Sequence, residues 1–154
     1  MRNRIVSFIA LALFTASAWA FNFTDVQGHP QDLASYKGKW VLVNFWATWC
    51  PPCLKEIPDL ISLQSTYGKT RLAVIGVAMD YRDPKQVINF ARSMHINYPI
   101  VLGTSDLAAQ VGEIQGLPTS YLFNPSGQIV AYQLGALTKS AVEKYIDGKS
   151  ETVK

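Results

Sequence analysis

A nearly unbroken apolar run, Trp40-Val-Leu-Val-Asn-Phe-Trp-Ala47, passes within three residues into Cys50-Pro51-Pro52-Cys53 and then into sequence of helical period. A run so rich in β-branched and aromatic residues reads as a central strand covered on both faces. From Cys53 to Tyr67 the period changes. Leu54, Ile57 and Ile61 fall at i, i+3 and i+7, Leu60, Leu63 and Tyr67 widen the stripe, and Gly68 ends it. Pro58 lies inside this helix, where it removes a backbone bond and bends the axis. A buried strand feeding straight into an amphipathic helix, with both cysteines at the joint, confines the chain to α/β architectures.

The remainder alternates in the same way. Residues 72–79 read as a second buried strand. Asp83-Pro84-Lys85-Gln86 is a helix start, with an N-cap acid, proline at the first position and glutamine at the third, and the helix is expected to reach about Met94. Residues 98–102 are a short strand and 106–111 a short helix. A strand over 120–123, the hairpin turn Asn124-Pro125-Ser126-Gly127 and a return strand over 128–133 follow. Thr138 caps a last helix reaching Ile146. Ahead of the first strand, 21–38 read as a short edge element and a loop, with Gly28-His29-Pro30 as a turn signal. The order β-α-β-α-β-α-β-β-α predicts one domain over 21–148, a mixed sheet flanked by helices, with a tail over 149–154. A chain of 154 residues has room for one such core, not two.

Residues 1–20 carry the three parts of a secretory signal peptide. Arg2 and Arg4 supply the positive start, Ile5 to Phe14 an apolar run too short to span a bilayer comfortably, and Ala18-Trp19-Ala20 a cleavage site. The alternative is an uncleaved membrane anchor. No cysteine lies near the cleavage site, which excludes a lipoprotein anchor. Export to the periplasm is the expectation. Loss of 1–20 removes Arg2 and Arg4 and no acid, so the net charge falls from +3 to +1. That balance argues against a nucleic-acid partner, which needs a concentrated basic face.

Both cysteines fall in one four-residue window. A structural disulfide usually closes a long loop, and a Cys50–Cys53 bridge closes almost none, so it removes little chain entropy. Reactivity explains the pair better than stability. Disulfide exchange needs one thiolate to attack and a second thiol to release the product. Positions i and i+3 of a first helical turn bring two sulfurs within bonding reach, and the helix N-terminus favours a thiolate. Pro51 disfavours a helical conformation at Cys50. This predicts Cys50 at the N-cap, exposed, as nucleophile, and Cys53, sheltered, as resolving thiol. Pro51 and Pro52 also remove two backbone donors that would stabilise a Cys50 thiolate, which tunes the pair toward donating electrons. A zinc site lacks a second cysteine pair, and His29 and His95 lack ligand spacing. Haem attachment needs a histidine where Leu54 stands. No metal and no cofactor is expected.

Residues 41–58, Val-Leu-Val-Asn-Phe-Trp-Ala-Thr-Trp-Cys-Pro-Pro-Cys-Leu-Lys-Glu-Ile-Pro, resemble the active-site block of TlpA/ResA-type thioredoxin-like proteins, and Gly116-Leu-Pro-Thr-Ser-Tyr-Leu-Phe123 resembles the family's second block. The resemblance covers essentially the whole chain after residue 20. It implies a thioredoxin fold with a βαβ-type insertion over about 79–111. It also implies an exported protein-disulfide reductase, recharged by an integral-membrane electron donor of the DsbD or CcdA kind. Its targets would be cysteine-containing proteins, typically apocytochrome c or copper-site proteins. Carried onto this sequence, the family pattern makes Pro118 a cis-proline facing the cysteines and Leu117, with Thr119 beside it, part of a surface that docks the substrate strand. The residues alone read Pro118 as an ordinary loop proline.

Asn44 stands where cytosolic thioredoxins carry a buried aspartate, and an amide cannot act as a base. It is expected to be a core amide bonded to backbone. Glu56, one turn beyond Cys53, is then the proton acceptor, and the family has a glutamate there; the alternative is a solvated helix acid. Trp46 is expected in the core and Trp49 on the docking surface, with Lys55 solvated. Other functions remain in view. Disulfide-introducing oxidants of the DsbA kind carry a large helical insertion for which this chain is too short, and a thiolate metal chaperone lacks a third ligand. A peroxiredoxin-type peroxidase needs a TxxC pattern, whereas Thr48 lies only two residues before Cys50.

Overall fold

The structure, a computed structural model, describes residues 22–150; the expected signal peptide at 1–20 lies outside the described residues. The apolar run forms β3 (Trp40–Trp46), buried at every position, and β4 (Leu72–Ala78) lies parallel beside it. Ahead of them, β1 (Asn22–Thr24) and β2 (Pro30–Asp32) pair antiparallel, and a 3-10 turn over Leu33–Tyr36 follows. The hairpin turns through Gly28, whose φ of +86° suits glycine. The expected edge element and loop are thus a two-stranded hairpin followed by a 3-10 turn.

After β3 come α1 (Pro51–Tyr67), β4, α2 (Pro84–Ser93), β5 (Ile100–Leu102), α3 (Ser105–Val111), β6 (Thr119–Phe123), β7 (Ile129–Leu134) and α4 (Lys139–Ser150). The main sheet has the order β5-β4-β3-β6-β7, with β5, β4 and β3 parallel and β6 and β7 antiparallel to their neighbours. This is the mixed α/β thioredoxin fold. Within 79–111 the chain supplies α2, β5 and α3, so the expected βαβ unit is β4-α2-β5, one strand of which precedes the segment. Asp83 caps α2 by accepting from Lys85 N (2.9 Å). The last helix passes the expected end at Ile146 and runs to Ser150, into the expected tail, with Lys149 Nζ over the Tyr145 ring at 5.8 Å.

Alternation along the strands sorts the core into two layers. Leu42, Trp46, Val74 and Leu122 face a cluster with Ile57, Leu60, Val87, Val142 and Ile146, which places α1, α2 and α4 on that side. Val41, Val43, Ile75 and Phe123 face the other cluster, closed by Phe23, Leu33, Ala108 and Val111 from the N-terminal hairpin, the 3-10 turn and α3. Both sheet edges are managed. Val26 N donates to Ile100 O (2.8 Å) along β5. Along β7, Val130 O accepts from Tyr145 Oη (2.8 Å) and Leu134 O from Gln133 Nε2 (2.7 Å).

Gly76 sits mid-strand on the α1 side, in register with Asn44. A Cβ there would lie 2.9–3.1 Å from Ile100 Cδ1, Tyr98 Cε2 and Trp46 Nε1. Gly76→Ala is expected to destabilise the protein by about 1–3 kcal/mol through overpacking. Urea denaturation checks this, and an unchanged midpoint would mean the neighbours yield freely.

Candidate active site

β3 delivers the chain to the site at its C-terminal end. Cys50 keeps extended backbone (φ −94°, ψ 106°) as the N-cap of α1, and Pro51 and Pro52 fill the first two helical positions, where an N–H would have no intrahelical acceptor. The next donor, Cys53 N–H, points at Cys50 Sγ (3.4 Å). Cys50 and Cys53 are joined in a disulfide, their Cα atoms 5.3 Å apart. One expectation needs correction: Cys50 is not exposed. It retains 3% of its surface against 0% for Cys53. The sulfur turns toward the helix and packs in the cluster that holds Trp46 and Ala47, while Pro51 and Pro52 take the solvent side. Trp46 is core, and Trp49 is 61% exposed. The Trp49 indole N–H donates to Asp80 O (3.2 Å), which steadies an otherwise projecting ring. Lys55 lies on the exposed face of α1.

Glu56 is no surface acid. It is 1% exposed. Its Oε1 accepts from Asn44 Nδ2 (2.7 Å) and its Oε2 from Leu137 N (2.8 Å). Burial pushes its carboxyl above the usual carboxylate range, and the two hydrogen bonds, from Leu137 and Asn44, only partly offset this. Asn44 also donates to Ser120 Oγ (3.0 Å), so its amide spans two side chains, which corrects the expectation of a bond to backbone. The strand register explains the meeting: Asn44 pairs with Ser120 on β6, both on the face α1 covers. The hydroxyl of Tyr98 is pushed well above its ordinary value, first by burial and then by the Glu56 charge.

β6 brings the second block to the same end. Thr119 pairs with Phe45, so Pro118 lies one step further, beyond the last pair and level with Trp46. The Leu117–Pro118 bond is cis. Pro118 O accepts from Gly135 N (2.9 Å), and half-buried Leu117 packs against the cluster containing both cysteines. Thr119 differs from expectation. It is fully buried and its hydroxyl donates to Gly116 O (2.6 Å), so its side chain serves the loop and offers nothing to a docked partner. Sequence reasoning missed Ser120, Leu137 and Asp80. A polar residue alone in an apolar strand was the available signal for Asn44, but its partner Ser120 depends on strand register, and Glu56's partner Leu137 lies in a loop 81 residues away.

The AhpC/TSA family model matches residues 15–132, a span holding both cysteines, Glu56, Leu117 and Pro118. The chain is a thioredoxin-like member of the AhpC/TSA family. Over 82% of its length it is 33% identical to the thiol-disulfide oxidoreductase ResA of Geobacillus kaustophilus, covering 72% of that protein. Among solved structures it resembles a thiol:disulfide interchange protein of the thioredoxin family from Chlorobium tepidum TLS (33% identity, TM-score 0.78, 85% of this chain and 93% of that one). It also resembles the pneumococcal exposed lipoprotein thioredoxin Etrx1 from Streptococcus pneumoniae (25% identity, TM-score 0.72, 83% and 98%). The chain is a thiol–disulfide oxidoreductase.

A carboxyl whose folded pKa exceeds its unfolded value holds its proton more tightly in the native state. Its contribution is most favourable below the ordinary value of 4.5 and is lost as pH rises through the folded pKa. Relative to Glu56→Gln, the oxidised wild type is therefore expected to lose stability as pH rises from 4.5 toward neutral. Denaturation midpoints of both proteins across that window test this; parallel pH profiles would show that Glu56 titrates as an exposed acid does.

Proposed function

We propose that this oxidoreductase works as an exported reductase of cysteine pairs in partner proteins, of the apocytochrome c or copper-site assembly type. The observation that carries the reading is the Cys50–Cys53 pair at a helix N-terminus from which Pro51 and Pro52 have removed two donors. With the Cys53 N–H as the remaining first-turn donor on Cys50 Sγ, a Cys50 thiolate gains less from the helix than it would from three. The oxidised form is then relatively favoured, the condition for giving electrons away.

In the reductive cycle Cys50 thiolate attacks one sulfur of the partner's disulfide, and the partner's other sulfur leaves as thiolate. Cys53 then gives its proton to Glu56 and attacks Cys50 Sγ, releasing the partner's second thiolate. Two electrons pass to the partner and the Cys50–Cys53 disulfide forms. A membrane dithiol donor of the DsbD or CcdA kind restores the dithiol by the same exchange. Trp49 and the Leu117–Pro118 backbone form the docking surface. The signal-peptide pattern of 1–20 and the exposed lipoprotein among the structural neighbours support a periplasmic location.

Cys53→Ala is expected to accumulate covalent mixed disulfides with partner proteins, while Cys50→Ala traps few. Non-reducing gels followed by mass spectrometry decide it, and equal trapping would reassign the nucleophile. Equilibration against glutathione buffers is expected to give a potential below about −180 mV, whereas a value near −120 mV, that of strong periplasmic oxidants, would favour the disulfide-introducing alternative.

A further inference from the structure

A groove of about 640 Å³ runs from the end of β4 along α3 to the loop that carries Leu117. It is continuous with the reactive end of the molecule. Leu117 precedes Pro118 at one limit, and at another lies Asp80, whose carbonyl holds the Trp49 indole. Met79, Ala108 and Ile114 give it an apolar floor, and Asp80 and Glu113 stand in its walls. Among the described residues no lysine, arginine or histidine lines it, and neither carboxylate is in an ion pair.

We propose that this groove docks an extended segment of the partner protein, and that Asp80 and Glu113 select segments carrying lysine or arginine beside the reactive cysteine. The proposal rests on the reading of the partner as a protein with a cysteine pair. An apolar floor accepts side chains of any extended strand and confers little choice. Two unpaired carboxylates of one sign, with no compensating cation in the lining, supply the choice: they attract a basic segment and repel an acidic one. Because Leu117 lines the groove and packs against the cluster that holds both cysteines, a chain lying in the groove passes beside the reactive end.

The test uses two short peptides, each with one internal cysteine pair, alike except that lysines flank the cysteines in one and glutamates in the other. Exchange is followed both ways, reduced protein with disulfide peptides and oxidised protein with dithiol peptides. In the direction that proceeds, the lysine peptide is expected to react roughly fivefold faster at low salt. Asp80→Asn with Glu113→Gln should bring the ratio within about twofold, and Glu113→Lys alone should favour the glutamate peptide. The ratio within each protein is the readout, so a general change in reactivity does not enter it. A ratio that survives both variants, or a ratio of one in the wild type, overturns the groove. A lysine preference found only in the oxidising direction supports the groove and overturns the reductase reading.

Discussion

The Glu56 carboxylate is the point where separate parts of the chain meet. It reaches from α1 to Asn44 on β3 and to the backbone of Leu137 in the loop before α4, and through Asn44 it is tied to Ser120 on β6. Removing either donor would leave a buried acceptor short of a partner, at about 1–3 kcal/mol. Those hydrogen bonds fix how α1 sits on the sheet. Since the cysteines occupy the first turn of the same helix, they also fix where the two sulfurs lie relative to the Leu117–Pro118 loop.

The loop before α4 is part of this arrangement twice. Leu137 donates to Glu56, and two residues earlier Gly135 donates to Pro118 O. One short segment thus holds both the buried carboxylate and the backbone beside the site. A helix start placed after β7 does more than close the core. It ties the acid one turn from Cys53 to the strand end on which a partner would dock.

Much of this was legible in the sequence, for identifiable reasons. β3 and β4 were clear because strands buried on both faces leave no polar alternation to confuse, and α2 because Asp83 and Pro84 are strong start signals. Cys50 as N-cap followed from the geometry proline imposes on the residue before it. What failed depended on tertiary context. The exposure of Cys50 could not be read from an N-cap position, because that position fixes the backbone and not the direction of the sulfur. The helix beyond Ile146 carries a cation over an aromatic ring four residues back, a contact that exists only once the helix has formed. Glu56 as a buried acid needed the register that brings Asn44 beside Ser120, which no local pattern encodes.

The burial of Cys50 changes where selectivity must lie. In the disulfide form Cys50 keeps 3% of its residue surface exposed, which leaves an incoming thiolate a narrow approach to its sulfur. On the proposed docking surface of Trp49 and the Leu117–Pro118 loop, a partner would lie across the site before its own sulfur comes within reach. Recognition would then precede chemistry and rest on residues that take no part in electron transfer. The chemical centre varies little in what it can do, since any disulfide sulfur is attacked in the same way. The walls of the proposed groove carry the charges of Asp80 and Glu113, and on that proposal they would decide which cysteine arrives.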